Sequence, residues 1–109
     1  MKRVDWVGDS LEQLRAFPPD AMHDAGYQLE LVQRGSMPED WKPMPSVGLG
    51  VSEIRLRAGG AFRVLYVAKF PEAVYVLHAF QKKSRQTAQG DIELARRRFR
   101  AVLMTRRQA

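Results

Sequence analysis

The chain contains no cysteine, so disulfide bonds and thiolate metal sites are excluded. No apolar run approaches the roughly 18 residues that a membrane-spanning helix needs, and no signal-like apolar segment follows Met1. The sequence also lacks a glycine-rich phosphate loop, a carboxylate pair and a spacing typical of metal ligands. We therefore expect one cytoplasmic domain over residues 1–109, with no membrane contact, no metal and no small-molecule cofactor.

Acidic residues are scarce in the last third of the chain. From Lys82 onward nine lysines and arginines stand against two acids, whereas residues 1–81 contain nine bases and ten acids. A segment of one charge sign attracts polyanions, and nucleic acid is the first partner to consider. An acidic protein partner is compatible with the same charge. A membrane surface fits less well, because the apolar residues of this segment suit a sheet better.

Helical patterns occur at both ends of the chain. The first begins at Asp9-Ser10, which can cap free amides, and Pro18-Pro19 interrupts it. The second starts at Pro19 and ends near Gly35, with apolar residues at three- and four-residue steps. These two helices predict a hairpin on one face of a sheet. A third helix is predicted over 88–105, with most of its arginines outside the apolar stripe.

Strand-like runs rich in branched and aromatic residues predict a small sheet. Glycine- and proline-bearing connections between the last three runs indicate antiparallel hairpins. The dense prolines and glycines of residues 35–50 predict a loop. The predicted strands are 2–7, 51–57, 61–70 and 73–80. The fold class is thus α+β: a small curved antiparallel sheet of three C-terminal strands plus a short N-terminal strand, packed with an N-terminal helical hairpin and a C-terminal helix.

Alternation along these strands predicts which side chains share a face. One face should carry Arg55, Arg57 and Arg63, while Tyr66 points the other way. By the same rule, one face of the last strand should carry Val74, Val76, His78 and Phe80.

The basic residues on and after the strands suggest chemistry on a phosphodiester. Guanidinium groups can clamp phosphate oxygens and stabilise developing charge, and a lysine crowded by cations can exchange a proton. Histidine and tyrosine could also transfer protons, and an aromatic ring could stack on a base. The candidate catalytic residues are Arg63, Arg55, Lys82, Lys83 and Tyr66. The candidate RNA-binding residues are Arg57, His78, Phe80, Arg85, Arg96 and Arg97.

Each candidate also has an ordinary structural interpretation. Arginines that alternate along a strand most often form a solvated face. A histidine on the apolar side of a strand, such as His78, is more often a satisfied core residue. Tyr66 and Phe80 are more often core aromatics than stacking platforms.

Three segments resemble successive signatures of the RelE/ParE toxin superfamily, and especially of its phage-derived HigB-like branch. They are Val51-Ser52-Glu53-Ile54-Arg55, Phe62-Arg63-Val64-Leu65-Tyr66, and Val76-Leu77-His78-Ala79-Phe80-Gln81-Lys82-Lys83. The likeness covers roughly residues 36–100. It implies the toxin of a type II toxin–antitoxin pair, with a small antiparallel sheet packed on a helical hairpin.

The resemblance further implies a metal-independent endoribonuclease that cuts mRNA, often on the ribosome. A cognate helix-turn-helix antitoxin would neutralise it. Arg63 matches the arginine that contacts the scissile phosphate, Arg55 lies beside it, and Lys82 and Lys83 match a basic pair after the last strand. Phe62 stands where a tyrosine is usual, and the chain end shows no catalytic tyrosine or histidine. Two alternatives remain open: a ParE-like gyrase inhibitor, and a non-catalytic nucleic-acid-binding protein.

Overall fold

The computed structural model describes residues 1–108, in which five strands form one sheet with helices on both faces. The strands are β1 Arg3–Trp6, β2 Trp41–Pro43, β3 Val51–Leu56, β4 Phe62–Val67 and β5 Ala73–Gln81. The helices are α1 Ser10–Arg15, α2 Pro19–Gln33 and α3 Gln89–Gln108. The predicted α+β class, the helical hairpin and the C-terminal helix are confirmed.

The strand order across the sheet is β1-β5-β4-β3-β2. The β3–β4 and β4–β5 pairs are antiparallel, as predicted. β2 also pairs antiparallel with β3, whereas β1 runs parallel to β5 and makes the sheet mixed. The prediction of a loop over residues 35–50 missed β2. That strand has three residues and ends at Pro43, which is tolerated because β2 lies at the sheet edge. So short a strand leaves no readable alternation.

The helical hairpin forms where its breaking residues predict, but the predicted capping of α1 is wrong. Asp9 makes no side-chain capping hydrogen bond, and the hydroxyl of Ser10 donates to the carbonyl of Val76. Pro19 is the first residue of α2, a position where the missing amide hydrogen costs nothing. Gly35 follows the end of α2 with φ of 90°, a conformation that glycine adopts without strain. The amides of Gly35 and Ser36 donate to the carbonyls of Val32 and Leu31, which closes the helix end.

Two apolar cores lie on opposite faces of the sheet. The first core packs α1 and α2 against residues such as Ile54, Val64 and Val76. The second packs α3 and residues 44–47 against Leu65, Val67 and other side chains of the opposite face. Helices therefore cover both faces, and α3 determines how much of the second face stays open.

No helix of residues 1–108 is long and apolar enough to cross a membrane.

A β-bulge changes the facing of side chains within β5. The register with β4 shifts between Leu65 and Tyr66, so Leu77 is an extra residue without a partner. As a result Phe80 lies in the second core and Ala79 in the first. The strict alternation predicted for β5 is therefore wrong beyond the bulge, for His78 and Phe80. A single inserted residue reverses every later position of a strand.

Candidate active site on the open face of the sheet

Polar side chains gather on the second face of the sheet. Arg55 of β3 is paired in register with Arg63 of β4, and Lys42 of β2 is paired with Glu53 of β3. Lys82 follows β5, and its amide donates to the carbonyl of Ala61 at 2.7 Å. We call these residues the sheet cluster: Lys42, Glu53, Arg55, Arg63 and Lys82.

A buried ion pair is the centre of the sheet cluster. Arg63 Nε lies 3.4 Å from Glu53 Oε1, and the two side chains are 5% and 0% exposed. Arg63 Nη1 also donates to the carbonyl of Phe62 at 2.9 Å. Burial lowers the pKa of Arg63, and the charge of Arg55 acts in the same direction while Glu53 opposes it. The arginine is thus held in place in a site that disfavours its charge.

Several buried polar atoms of the sheet cluster have no hydrogen-bond partner in the described chain. They are both carboxylate oxygens of Glu53, Nε of Arg55 and Nε of Arg63. Leaving a buried polar group without a partner costs about 1–3 kcal/mol, and such groups are rare in native proteins. The carboxylate oxygens of Glu53 can only accept, and one of them faces Nε of Arg63, so Nε of Arg55 is the donor of this set that an anionic ligand could satisfy.

Lys82 is a candidate for proton exchange. Loss of hydration lowers its pKa, and the positive charges of Arg63, Lys42 and Arg55 lower it further, while Glu53 opposes the shift. A lysine with a lowered pKa has more of its neutral form near neutral pH, which allows it to accept a proton.

His78 and Phe80 form a packed unit beside the sheet cluster. Their rings stack with centroids 4.8 Å apart, and Nε2 of His78 lies 2.7 Å from Oδ1 of Asp91 in the first turn of α3. A carboxylate can only accept, so Nε2 carries the proton. Nδ1 of His78 is buried and has no hydrogen-bond partner among residues 1–108. Because Phe80 is only 8% exposed, its ring has little free surface for a base.

The remaining strand and loop candidates lie apart from the centre. Tyr66 is buried in the first core, on the opposite face from Arg63, and burial raises its pKa. Arg57 is exposed and lies 3.6 Å from Asp40. Lys83 and Arg85 are exposed in the segment between β5 and α3. The structure therefore brings together Arg55, Arg63 and Lys82 of the predicted site, and it separates Tyr66 from them.

The arginines of α3 fall into two groups. The helix arginines are Arg96, Arg97, Arg98, Arg100, Arg106 and Arg107. Three of them make intramolecular bonds: Arg98 with Asp9 and the carbonyl of Leu77, Arg106 with Glu72, and Arg96 with the carbonyl of Ser46. Arg97, Arg100 and Arg107 are exposed.

Sequence reasoning missed two members of the sheet cluster. Glu53 alternates with Arg55, so their shared face was readable, but nothing local indicates a carboxylate that is fully buried. Lys42 enters the cluster only through β2, which has no strand signature.

A groove of about 520 Å³ between β1 and α3 lies elsewhere, and its single charged lining residue is Asp5. We therefore assign the site from its charges rather than from concavity.

Residues 1–108 contain no group of three His, Asp or Glu side chains arranged to hold a metal ion.

The model of a family described as "Phage derived protein Gp49-like (DUF891)" matches residues 12–100, which is most of the chain and includes the whole sheet cluster. A search of curated proteins finds no match.

Proposed function

We propose that this chain, which belongs to the Gp49-like phage-derived protein family, is an mRNA endoribonuclease that acts as the toxin of a type II toxin–antitoxin pair. The family is toxin-like and of the RelE type, and an antitoxin partner is implied for it in general. Within the RelE/ParE superfamily we assign the chain to the HigB-like branch, because the three motifs occur in that order. Its substrate would be cytoplasmic mRNA, in association with the ribosome.

The observation that carries this proposal is the direct pairing of Arg55 and Arg63 on neighbouring strands, with Lys82 beside them. RNA cleavage places growing negative charge on a phosphate, and preorganised guanidinium groups stabilise that charge. A site of low hydration strengthens this interaction. The same face provides a lysine whose lowered pKa suits proton transfer.

The proposed reaction is attack of a 2′-oxygen on the adjacent phosphorus. The proton of the 2′-hydroxyl passes to neutral Lys82, while Arg63 and Arg55 bind the non-bridging oxygens. The bond from phosphorus to the 5′-oxygen then breaks, and the leaving oxygen takes a proton from water at the open face. The hydroxide that this leaves takes the proton back from Lys82, which returns to its neutral form. The products are a cyclic 2′,3′-phosphate and a 5′-hydroxyl, so atoms and charges balance without a redox step.

Glu53 has a positioning role in this scheme. Its carboxylate faces Nε of Arg63, and the Phe62 carbonyl accepts from Nη1. These two contacts hold the guanidinium plane, and Nη2 is the group left to bind the phosphate in this scheme. Preorganisation of this kind avoids reorganisation of the site during the reaction.

Induction of the chain alone in bacteria tests the proposal. Growth should stop, transcripts should shorten, and new RNA 5′ ends should carry hydroxyl groups. Arg63→Ala should abolish all three effects. Arg15→Ala is the matched control: it removes the same charge from an exposed position of α1, on the other face of the sheet.

Other outcomes would select the alternatives. Growth arrest with intact transcripts contradicts RNA cleavage, and induction of DNA damage would indicate a gyrase inhibitor. Loss of RNA affinity in Arg63→Ala, with no cleavage in the unchanged protein, would indicate a non-catalytic nucleic-acid-binding protein.

A further inference from the structure

Lys42 is a cation on the sheet cluster that no motif of the sequence indicates. It lies in the middle of β2, paired in register with Glu53 of β3. Cross-strand partners point to the same face of a sheet, so Lys42 shares the face of Glu53, Arg55 and Arg63. It is exposed, and it has no acidic partner within 4 Å among residues 1–108.

Lys42 does not form an ion pair with the neighbouring carboxylate of Glu53. Both oxygens of Glu53 lack a hydrogen-bond donor, and its ion-pair partner is Arg63 rather than Lys42. Lys42 is also close enough to Lys82 to lower the pKa of that residue. Its charge therefore belongs electrostatically to the site, while its ammonium group remains available to a ligand.

The strand order puts the cations in a line across the sheet. β2, β3 and β4 are consecutive, and the line runs diagonally from Lys42 through Arg55 to Arg63, because Lys42 is paired with the residue two positions before Arg55 on β3. Strands are spaced about 4.8 Å apart and residues along a strand about 3.4 Å apart, so the backbones of Lys42 and Arg63 lie about 12 Å apart. Long, flexible cationic side chains can adjust over this span to successive phosphates of one extended strand.

We propose that Lys42 forms a second phosphate subsite, which binds the phosphodiester next to the one held by Arg63. The RNA strand then crosses β4, β3 and β2 towards the β2 edge. This inference rests on the proposed function for its choice of RNA, and it adds the path of the strand and a residue that sets substrate affinity. A flexible single strand suits this path, because neighbouring phosphates must follow an open sheet face.

Binding to an RNA that cannot be cleaved tests the subsite directly. The probe is a short single-stranded RNA with 2′-O-methyl groups, titrated by fluorescence anisotropy at several salt concentrations. Lys42→Ala should weaken binding several-fold and reduce the slope of log K against log salt by about 0.7, the value for one phosphate contact to a single strand. Arg15→Ala, with the same loss of charge, should leave the slope unchanged. Thermal denaturation of each variant checks that the fold is intact.

Cleavage kinetics provide a second readout. Lys42→Ala should raise KM several-fold and leave kcat at a fixed protonation state unchanged, because the contact is made equally in the ground and transition states. In Lys42→Ala the pH–rate profile should also shift to higher pH. The positive charge of Lys42 lowers the pKa of Lys82, so its removal should raise that pKa.

The outcomes separate this inference from the proposed function. Cleavage by the unchanged protein together with an unaltered salt slope in Lys42→Ala overturns the subsite and leaves the endoribonuclease standing. A reduced slope in a protein that never cleaves RNA supports the subsite and contradicts the endoribonuclease. An equal change in Lys42→Ala and Arg15→Ala overturns the subsite, since the effect would then be that of net charge alone.

Discussion

The sheet cluster and the helix arginines are both basic, but the two regions use their charge differently. In the sheet cluster the charges are crowded, partly buried and incompletely hydrogen-bonded. On α3 three arginines are bound to acids or backbone carbonyls, and the others are hydrated. Crowded, dehydrated cations gain much from an anionic ligand, whereas paired ones mainly stabilise the fold. Along the sequence, positive charge is denser in α3 than in the strands. The sheet cluster is nevertheless the better candidate for a catalytic site.

Removal of Glu53 should produce the largest change in stability. Glu53→Ala leaves Arg63 as a buried cation without its partner, which should cost about 3–5 kcal/mol. Denaturant unfolding measures the loss. The double variant Glu53→Leu with Arg63→Leu should recover most of it, because no buried charge then remains. A single variant as stable as the unchanged protein would contradict the role assigned to this pair.

Removal of Arg63 should produce the largest change in activity among the cations. Arg63→Ala should lower kcat about 10²–10³-fold, the usual effect of losing one group that stabilises transition-state charge. Arg100→Ala on α3 should change kcat less than a few-fold and act mainly through affinity. Single-turnover cleavage at saturating protein measures both. Equal losses of kcat in the two variants would remove the distinction between the regions.

Substitution of Lys82 tests proton transfer separately from charge. Lys82→Arg keeps the positive charge but stays protonated to high pH, so it cannot act as the base. Because the pKa of Lys82 lies below its usual value, cleavage by the unchanged protein should rise with pH up to that lowered pKa. The rise should be absent in Lys82→Arg, while RNA affinity is retained. A pH–rate profile that is unchanged in Lys82→Arg would assign the base to another group.

Two neighbouring arginines of α3 should differ in their effect on stability. Arg98 donates to the carbonyl of Leu77 and to Asp9, whereas Arg97 is exposed. Arg98→Ala should lower Tm by about 5 °C, because it removes a partly buried hydrogen bond to a carbonyl together with the contact to Asp9. Arg97→Ala should leave Tm nearly unchanged. Equal Tm values for the two variants would show that the contacts of Arg98 do not stabilise the fold.

The contact between Glu72 and Arg106 should give a small, pH-dependent contribution. Hydrogen bonds from Arg106 and Tyr75 lower the pKa of Glu72 from 4.5 to about 2. A lowered carboxyl pKa stabilises the fold above the unfolded value and loses that effect as the pH falls towards the folded value. Tm should therefore decline between pH 4.5 and about 2, and the decline should be shallower in Glu72→Gln. Parallel pH profiles for the two proteins would contradict this assignment.

Much of the fold was predictable because it depends on local signals. Pro19 and Gly35 bound α2, and glycine and proline connections delimit β3, β4 and β5. The bulge at Leu77 and the short strand β2 were not predictable, because neither leaves a periodic pattern. The candidate site was predictable in part: Arg55 and Arg63 share a readable alternation, whereas Lys42 joins them only through the missed strand. The roles of all these residues remain predictions.

By itself the sequence determined the α+β class, the segregation of positive charge and the motifs of a toxin-like family. These follow from residue order, since capping, alternation and motif spacing are properties of neighbouring positions. Only the tertiary structure decided which charges meet. Strand register brings Lys42, Glu53 and Arg63 to one face, and the docking of α3 ties Arg98 and Arg106 to acids far away in the chain. Partnership and burial depend on contacts between distant segments, so the sheet cluster takes four of its five residues from outside the basic last third of the chain.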